Sequence, residues 1–221
     1  MLVAICGESG AGKTELQKEL GRMGFNEIVT CTTRAPRAGE RDGVDYHFIS
    51  QQEFERRIKD GEFAEWEEYS QNRFYGTMIA DARQAALSNE RYAIVVTPNG
   101  VRSLEKTVGR ENLVEVMVTA SLGVRVKRYI DRCGADNFNF DDMNEINARV
   151  NRDFGMFLNM DRNVDLVLDN SLDARYDPKG FGVITKMAEQ VESLVKRKEQ
   201  ERFSFDQQPT SEYETEWGRE D

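Results

Sequence analysis

Gly7-Glu8-Ser9-Gly10-Ala11-Gly12-Lys13-Thr14 is the run of this chain whose chemistry is plainest. It fits the pattern G-x-x-x-x-G-K-[ST], in which glycines let backbone N–H groups converge on phosphate oxygens and the following helix adds its positive end. In that pattern the lysine reaches the β- and γ-phosphates, and the hydroxyl residue ligates Mg²⁺. Gly7 through Thr14 are therefore expected to bind ATP, with Lys13 catalytic and Thr14 the metal ligand. The plain alternative is a chance glycine-rich turn. The run follows an apolar stretch, Leu2 to Cys6, and precedes Leu16, Leu20 and Met23 at helical spacing. That is the strand–loop–helix setting the motif requires.

Further cationic residues recur in patterns. Arg34 and Arg37 stand three apart around Pro36, with Tyr46 further along. Such a pair can converge on one phosphate by charge-assisted hydrogen bonds, and a phenol adds a donor. Without context, a solvated basic loop is the alternative. Arg125, Arg128 and Arg132 repeat at helical spacing, and Arg149 and Arg152 follow on a second helical stretch. By default such a row is a solvated helix face. Glu65 beside Trp66 reads equally as a helix-terminal charge or an ion-pair partner. His47, the single histidine, sits next to Tyr46 on an expected strand and suits packing better than catalysis.

The elements that must carry these residues alternate. Strands are expected at Leu2–Cys6, from Ile28 to Thr30, at Tyr92–Thr97 (stopped by Pro98-Asn99-Gly100), through Val114, Val116 and Val118, and at Val164–Leu168. The alternating valines suggest one face better buried than the other. Helices are expected from Lys13 to Gly24, after a Ser50/Glu53 capping box to Asp60-Gly61, over about 121–132 and 143–158, and from Phe181 to Lys198. Thr32 to Val44 is a polar loop. Alternating strands and helices imply an α/β fold with a parallel sheet covered on both faces.

Composition agrees with that class. A chain of 221 residues with 39% hydrophobic and 32% charged residues fits one soluble α/β domain. No apolar run is long enough to span a membrane, and the apolar start is too short for a signal peptide. Three cysteines, without metal-ligand spacing, read as reduced thiols of a cytoplasmic protein. The net charge of −10 argues against binding to nucleic acid polymers or anionic membranes. Residues 199–221 hold eight acidic and two basic side chains, a net −6 of that total. They read as an acidic, disordered, solubilising tail. Oligomeric state is not readable.

The run from Thr32 to Phe48 (TTRAPRAGERDGVDYHF) closely resembles the signature of the guanylate kinase family, as do Gly61-Glu62-Phe63-Ala64-Glu65-Trp66 and Tyr75-Gly76-Thr77. With the glycine loop, these occur in the family's order and at about its spacing, and a weaker likeness extends to about residue 196. The resemblance implies a P-loop NTPase-type three-layer α/β/α fold with a mainly parallel sheet, an inserted acceptor-binding subdomain and a helical lid. It implies one domain over 1–198, with a core of about 1–31, 90–125 and 159–198, an insertion of about 32–89 and a lid of about 126–158. It also implies an ATP- and Mg²⁺-dependent kinase acting on GMP or dGMP. In that likeness Arg34, Arg37, Tyr46 and Tyr75 hold the acceptor phosphate. Glu65 accepts from guanine N1–H and the 2-amino group, and Thr77 and Thr30 approach O6. Arg128, Arg132 and Arg149 close over the triphosphate and, with Lys13 and Arg34, form the catalytic set.

The chain also departs from the family pattern. Active members usually carry Asp-x-Asp before the glycine at position 100, serving Mg²⁺ water ligation and the acceptor base, whereas this chain has Val95 and Thr97. Glu8 stands where proline is usual, Cys31 where a small hydroxyl residue is frequent, and the stretch between Arg132 and Arg149 is longer and more aromatic. The departures leave two other expectations open: a kinase of a different nucleoside monophosphate, or a kinase-like module that binds without catalysis.

Overall fold

Six apolar or small residues in succession, Leu2–Gly7, form strand β1, and every one of them is buried. Burial on both faces needs layers on both sides, and the chain supplies them. In this computed structural model, which describes residues 1–37, 39–70, 73–134, 138–157, 164–171 and 181–206, β1 lies between β7 (Tyr92–Val95) and β8 (Leu113–Thr119). Short β2 (Asn26–Glu27) and β9 (Leu166–Asp169) complete a five-stranded sheet in the order β2-β7-β1-β8-β9, parallel throughout.

Alternation along β1 sorts its side chains between two cores. Val3 and Ile5 join Val114, Val116 and Val118 under helices α1 (Lys13–Arg22) and α7 (Phe181–Asp206). Leu2, Ala4 and Cys6 join Leu113 and Met117 under α3 (Ile79–Leu87) and α4 (Pro98–Val108). The expected three-layer α/β/α arrangement is therefore present. Both faces of β8 are buried, the valine face completely and the face of Leu113, Glu115 and Met117 nearly so.

A second sheet of four strands stands apart, in the order β4-β3-β6-β5. It comprises β3 (Cys31–Thr32), β4 (His47–Phe48), β5 (Phe63–Ser70) and β6 (Arg73–Met78). Helix α2 (Gln51–Lys59) starts at Ser50, whose hydroxyl accepts from the Glu53 N–H. The Glu53 carboxylate turns to Arg56 and Arg57 instead of returning to the cap. Phe54 on this helix is fully buried and stacks on Phe63 at 4.4 Å between ring centroids.

Several expected boundaries shift. Ile28–Thr30 is not a strand but the crossing from β2 in the first sheet to β3 in the second. The strand expected to reach Thr97 ends at Val95, and Pro98-Asn99-Gly100 is the first turn of α4 rather than a stop. Thr97 caps that helix, accepting from Gly100 N–H at 3.2 Å, with Pro98 in the first turn, where a missing N–H costs nothing. The stretch expected to form a lid holds helices α5 (Leu122–Cys133) and α6 (Phe140–Phe157). The tail does not begin at 199: α7 runs on to Asp206, and the Glu199 carboxylate takes both Nε and Nη2 of Arg91 at 3.0 and 2.7 Å. The expected disorder of 207–221 falls outside the described residues, as do 135–137 of the expected lid and Ala38 of the signature. The cysteines are unpaired, with Cys6 and Cys31 buried, and no described helix is long and apolar enough to cross a membrane.

Candidate active site

The glycine loop leaves β1 at the carboxyl end of the parallel sheet. Gly7 has φ +148°, and a Cβ there would lie 2.0 Å from the Val118 carbonyl oxygen, so the strand can run this close to β8 only with glycine. Gly12 caps α1 at φ +108°, and a Cβ there would lie 2.4 Å from Asn170 Nδ2. Five successive carbonyls of the loop accept from side chains. Lys13 Nζ donates to Gly7 and Glu8 at 2.7 and 3.0 Å. Arg125 Nε donates to Ser9 at 2.9 Å, and Arg128 Nη1 to Gly10 and Ala11 at 3.1 Å each. Asn170 Nδ2 adds a bond to Ala11 at 2.8 Å. With its carbonyls held by side chains, and the Ser9 and Ala11 N–H groups held by Asp153 and the Glu8 carbonyl, the loop is fixed in shape at the start of α1. Thr14 lies exposed in the first turn of α1.

Helices α5 and α6 contact the loop from one side. Arg125, which the family likeness leaves outside the catalytic set, is the most buried arginine of its row: it reaches Asp153 of α6 and Glu8 as well as the Ser9 carbonyl. Asp153, also buried, accepts from the Ser9 N–H at 2.9 Å. Arg128 is half-buried and also bonds the Asn170 carbonyl at 2.9 Å, and desolvation lowers its pKa. Arg132 and Arg149 border a small cavity with Ser9, Gly10 and Tyr129. The Arg149 guanidinium lies 5.5 Å above the Tyr129 ring and donates to Glu145 at 3.0 Å. Desolvation also lowers the Lys13 pKa, with the Asp153 charge opposing that shift. Glu8 Oε2 is buried with no hydrogen-bond partner among the described residues.

The second sheet gathers the other expected residues. Arg34 Nε donates to the Tyr75 hydroxyl at 3.2 Å, and its guanidinium lies 5.4 Å from the Tyr46 ring centroid. Tyr46 meets Tyr75 edge to face at 5.9 Å. Both Nη atoms of Arg34 are held at 2.9 Å by the two oxygens of Glu40, a partner that the sequence did not single out. Arg37 is exposed; its backbone N–H bonds Glu40 at 2.7 Å, and its charge acts on Tyr46. It does not converge with Arg34 through any described side-chain contact.

Register places the rest. On β5 and β6, Glu65 faces Thr77 and Glu67 faces Tyr75, so these four share one face of the sheet. The Thr77 hydroxyl donates to Glu65. Burial pushes the Glu65 carboxyl up to about 7, with the Thr77 hydrogen bond pulling the other way. Thr30 precedes β3, in which Cys31 faces Gly76, and so stands at the position opposite Thr77. Helix α4 approaches this face end-on: a Cβ on Gly100 would lie 3.2 Å from Glu65 Oε2. Val95, at the end of β7, packs against the apolar core.

Comparison with known proteins shows what the chain as a whole is similar to. The family model described as guanylate kinase matches residues 1–173. A guanylate kinase of Maricaulis maris is 51% identical over 106 residues, which is 47% of this chain and 48% of that protein. One of Lactiplantibacillus plantarum is 32% identical over 153 residues, 68% of this chain and 70% of that protein. The chain spans about half the length of several of the curated relatives it matches. Among solved structures, a guanylate kinase from Anaplasma phagocytophilum superposes with a TM-score of 0.58 at 19% identity, covering 89% of this chain and 85% of that one.

Proposed function

We propose that this chain, which belongs to the guanylate kinase family, transfers the terminal phosphoryl group of ATP to a nucleoside monophosphate, GMP or dGMP being the leading acceptors. The observation that carries this reading is the shared sheet face. A half-buried carboxylate, Glu65, and an arginine–tyrosine anion cluster, Arg34 with Tyr46 and Tyr75, stand on neighbouring registers. Guanine offers two adjacent donors, N1–H and the 2-amino group, which suit one carboxylate. A site that buries such an acceptor rejects bases without those donors.

ATP binds along the glycine loop, whose N–H groups and Lys13 take the β- and γ-phosphates. Lys13 must then exchange its two carbonyl partners for phosphate oxygens. The acceptor phosphate enters at Arg34 by displacing Glu40 from the guanidinium fork, one carboxylate-like partner for another. Thr14 is the side chain that would hold Mg²⁺, which would supply neutralisation of phosphate charge there. The acceptor's own phosphate oxygen attacks in line, so no covalent nucleophile is required. Arg128, Arg132 and Arg149 supply positive charge on the lid side of the transferring group. Unpaired, buried cysteines suit a cytoplasmic setting.

Val95 and Thr97 favour a second reading, a module that binds GMP or a phosphorylated partner without phosphoryl transfer. An assay coupling ADP release to a colour change, run across the common ribo- and deoxynucleoside monophosphates, separates the two. The kinase reading expects turnover with a guanine nucleotide and little with AMP, CMP or UMP. Binding of GMP with no turnover of any acceptor at saturating Mg²⁺ would establish the module instead.

A further inference from the structure

The face of β5 that carries Glu65 carries a second carboxylate. Glu67 follows two residues later, which returns it to the same side, about 6.6–6.8 Å further along the strand. Its cross-strand partner is Tyr75, as that of Glu65 is Thr77. The two ends of this step differ in chemistry. Tyr75 belongs to the anion cluster with Arg34, and Glu65 with Thr77 offers a carboxylate to a base. Glu67 stands on β5 at the register of Tyr75, so a nucleoside monophosphate running from the Arg34–Tyr75 end to Glu65 brings its sugar within one two-residue step of Glu67.

Glu67 is prepared for such a partner. It is half-buried, and burial raises its carboxyl pKa above the usual range. Thr97 acts on this carboxyl as a hydrogen-bonding neighbour, opposing the rise that burial causes. The Thr97 oxygen already accepts from Gly100 N–H at 3.2 Å, so its own hydrogen is left for Glu67. Arg152 of α6 acts on Glu67 through charge. A carboxylate has about four acceptor positions, and one hydroxyl from Thr97 leaves most of them for donors in the cleft. The donors a sugar presents are its hydroxyls, two of them adjacent in a ribose.

We propose that Glu67, positioned by Thr97, accepts hydrogen bonds from the ribose hydroxyls of the acceptor and so selects a ribonucleotide over its 2′-deoxy counterpart. The inference rests on the acceptor face being a nucleoside monophosphate site. A partly desolvated acceptor left unpaired by a missing hydroxyl disfavours the deoxy substrate.

The experiment compares kcat/KM for GMP and dGMP, with saturating ATP, in the native chain and in Glu67→Ala, Glu67→Gln and Thr97→Val. The native chain is expected to favour GMP by about tenfold or more. Glu67→Ala should lower kcat/KM for GMP by about that factor and for dGMP by much less, so that the preference collapses. Glu67→Gln, which keeps one acceptor and the shape, should retain part of it, and Thr97→Val should erode it. Equal use of both nucleotides by the native chain, or a GMP/dGMP ratio untouched by Glu67→Ala and Glu67→Gln, overturns the sugar role and leaves the kinase reading intact. Failure of the native chain to bind or phosphorylate either nucleotide overturns the acceptor site itself, and this inference with it.

Discussion

The glycine loop and the acceptor face both gather cations for anions, but they are held by opposite means. The loop is held from outside. Lys13, Arg125, Arg128 and Asn170 bond its carbonyls, and only glycine fits at positions 7 and 12. In this structure its cations serve as struts, and in the proposed reaction Lys13 and Arg128 would turn from those carbonyls to phosphate oxygens. The acceptor face is held side chain to side chain: Arg34 against Glu40 and Thr77 against Glu65. Its charges are already matched by partners that a ligand must displace or join. Changes in the loop should therefore alter catalysis and stability through geometry, whereas changes on the acceptor face should alter affinity and its pH dependence.

The largest effect is expected at Lys13, which belongs to both the struts and the chemistry. Lys13→Ala should lower kcat by on the order of 10³-fold while the KM for the acceptor stays nearly constant, as steady-state kinetics would report. An acceptor KM that rises in step with the loss would erase the distinction between the two regions. Arg34→Ala should act the other way, reducing kcat/KM by on the order of 10²-fold, mainly through the acceptor KM. Arg34→Lys should recover little of it, because an ammonium lacks the planar fork that Glu40 now occupies.

Gly12→Ala tests the backbone half of the comparison. The new methyl would meet Asn170 in a left-handed conformation, so denaturant unfolding should show a loss of about 1–3 kcal/mol. The pH dependence of GMP binding tests the side-chain half. Glu65 titrates near 7 in the folded chain against an ordinary 4.5. The folded state thus binds this proton more tightly than the unfolded state. The stability it lends is full below the ordinary value and is lost as pH rises through about 7. Guanine binding has the opposite sign, because its donors need the ionised form. GMP affinity should fall about tenfold per pH unit below that point, and calorimetry with Glu65→Gln should show a weaker but flat profile. The smallest effect lies away from both regions. Truncation after Lys198 removes the Glu199–Arg91 pair and should cost about 0.5–1 kcal/mol in a melt, whereas truncation after Asp206 should cost nothing measurable.

What could be read from the sequence follows the same division. The loop was legible because its determinants are local: a strand, glycines at fixed offsets and a helix start within fourteen residues. The acceptor hairpin was not, since β5 carries Glu65, Glu67 and Glu68 where a strand signal would want apolar alternation. Its apolar support is instead aromatic and distant: Trp66 near Phe74, and Phe54 against Phe63. Pro98-Asn99-Gly100 has the composition of a turn, and Thr97 turned it into a helix start by capping. Asp153 bonds Ser9 across 144 residues, which no local pattern announces. The family signature supplied Arg34, Tyr46, Glu65 and Tyr75 by position. Glu40 and Glu67, the carboxylates set against them, emerged only from contacts and register.

If the two regions are halves of one transfer site, a single molecule should bridge them. The direct measurement is calorimetric titration with adenosine and guanosine joined through five phosphates. The account predicts one molecule bound per chain, more tightly than ATP or GMP alone, with Lys13→Ala and Arg34→Ala each weakening it. Affinity no better than that of ATP, and indifferent to Arg34→Ala, would contradict it.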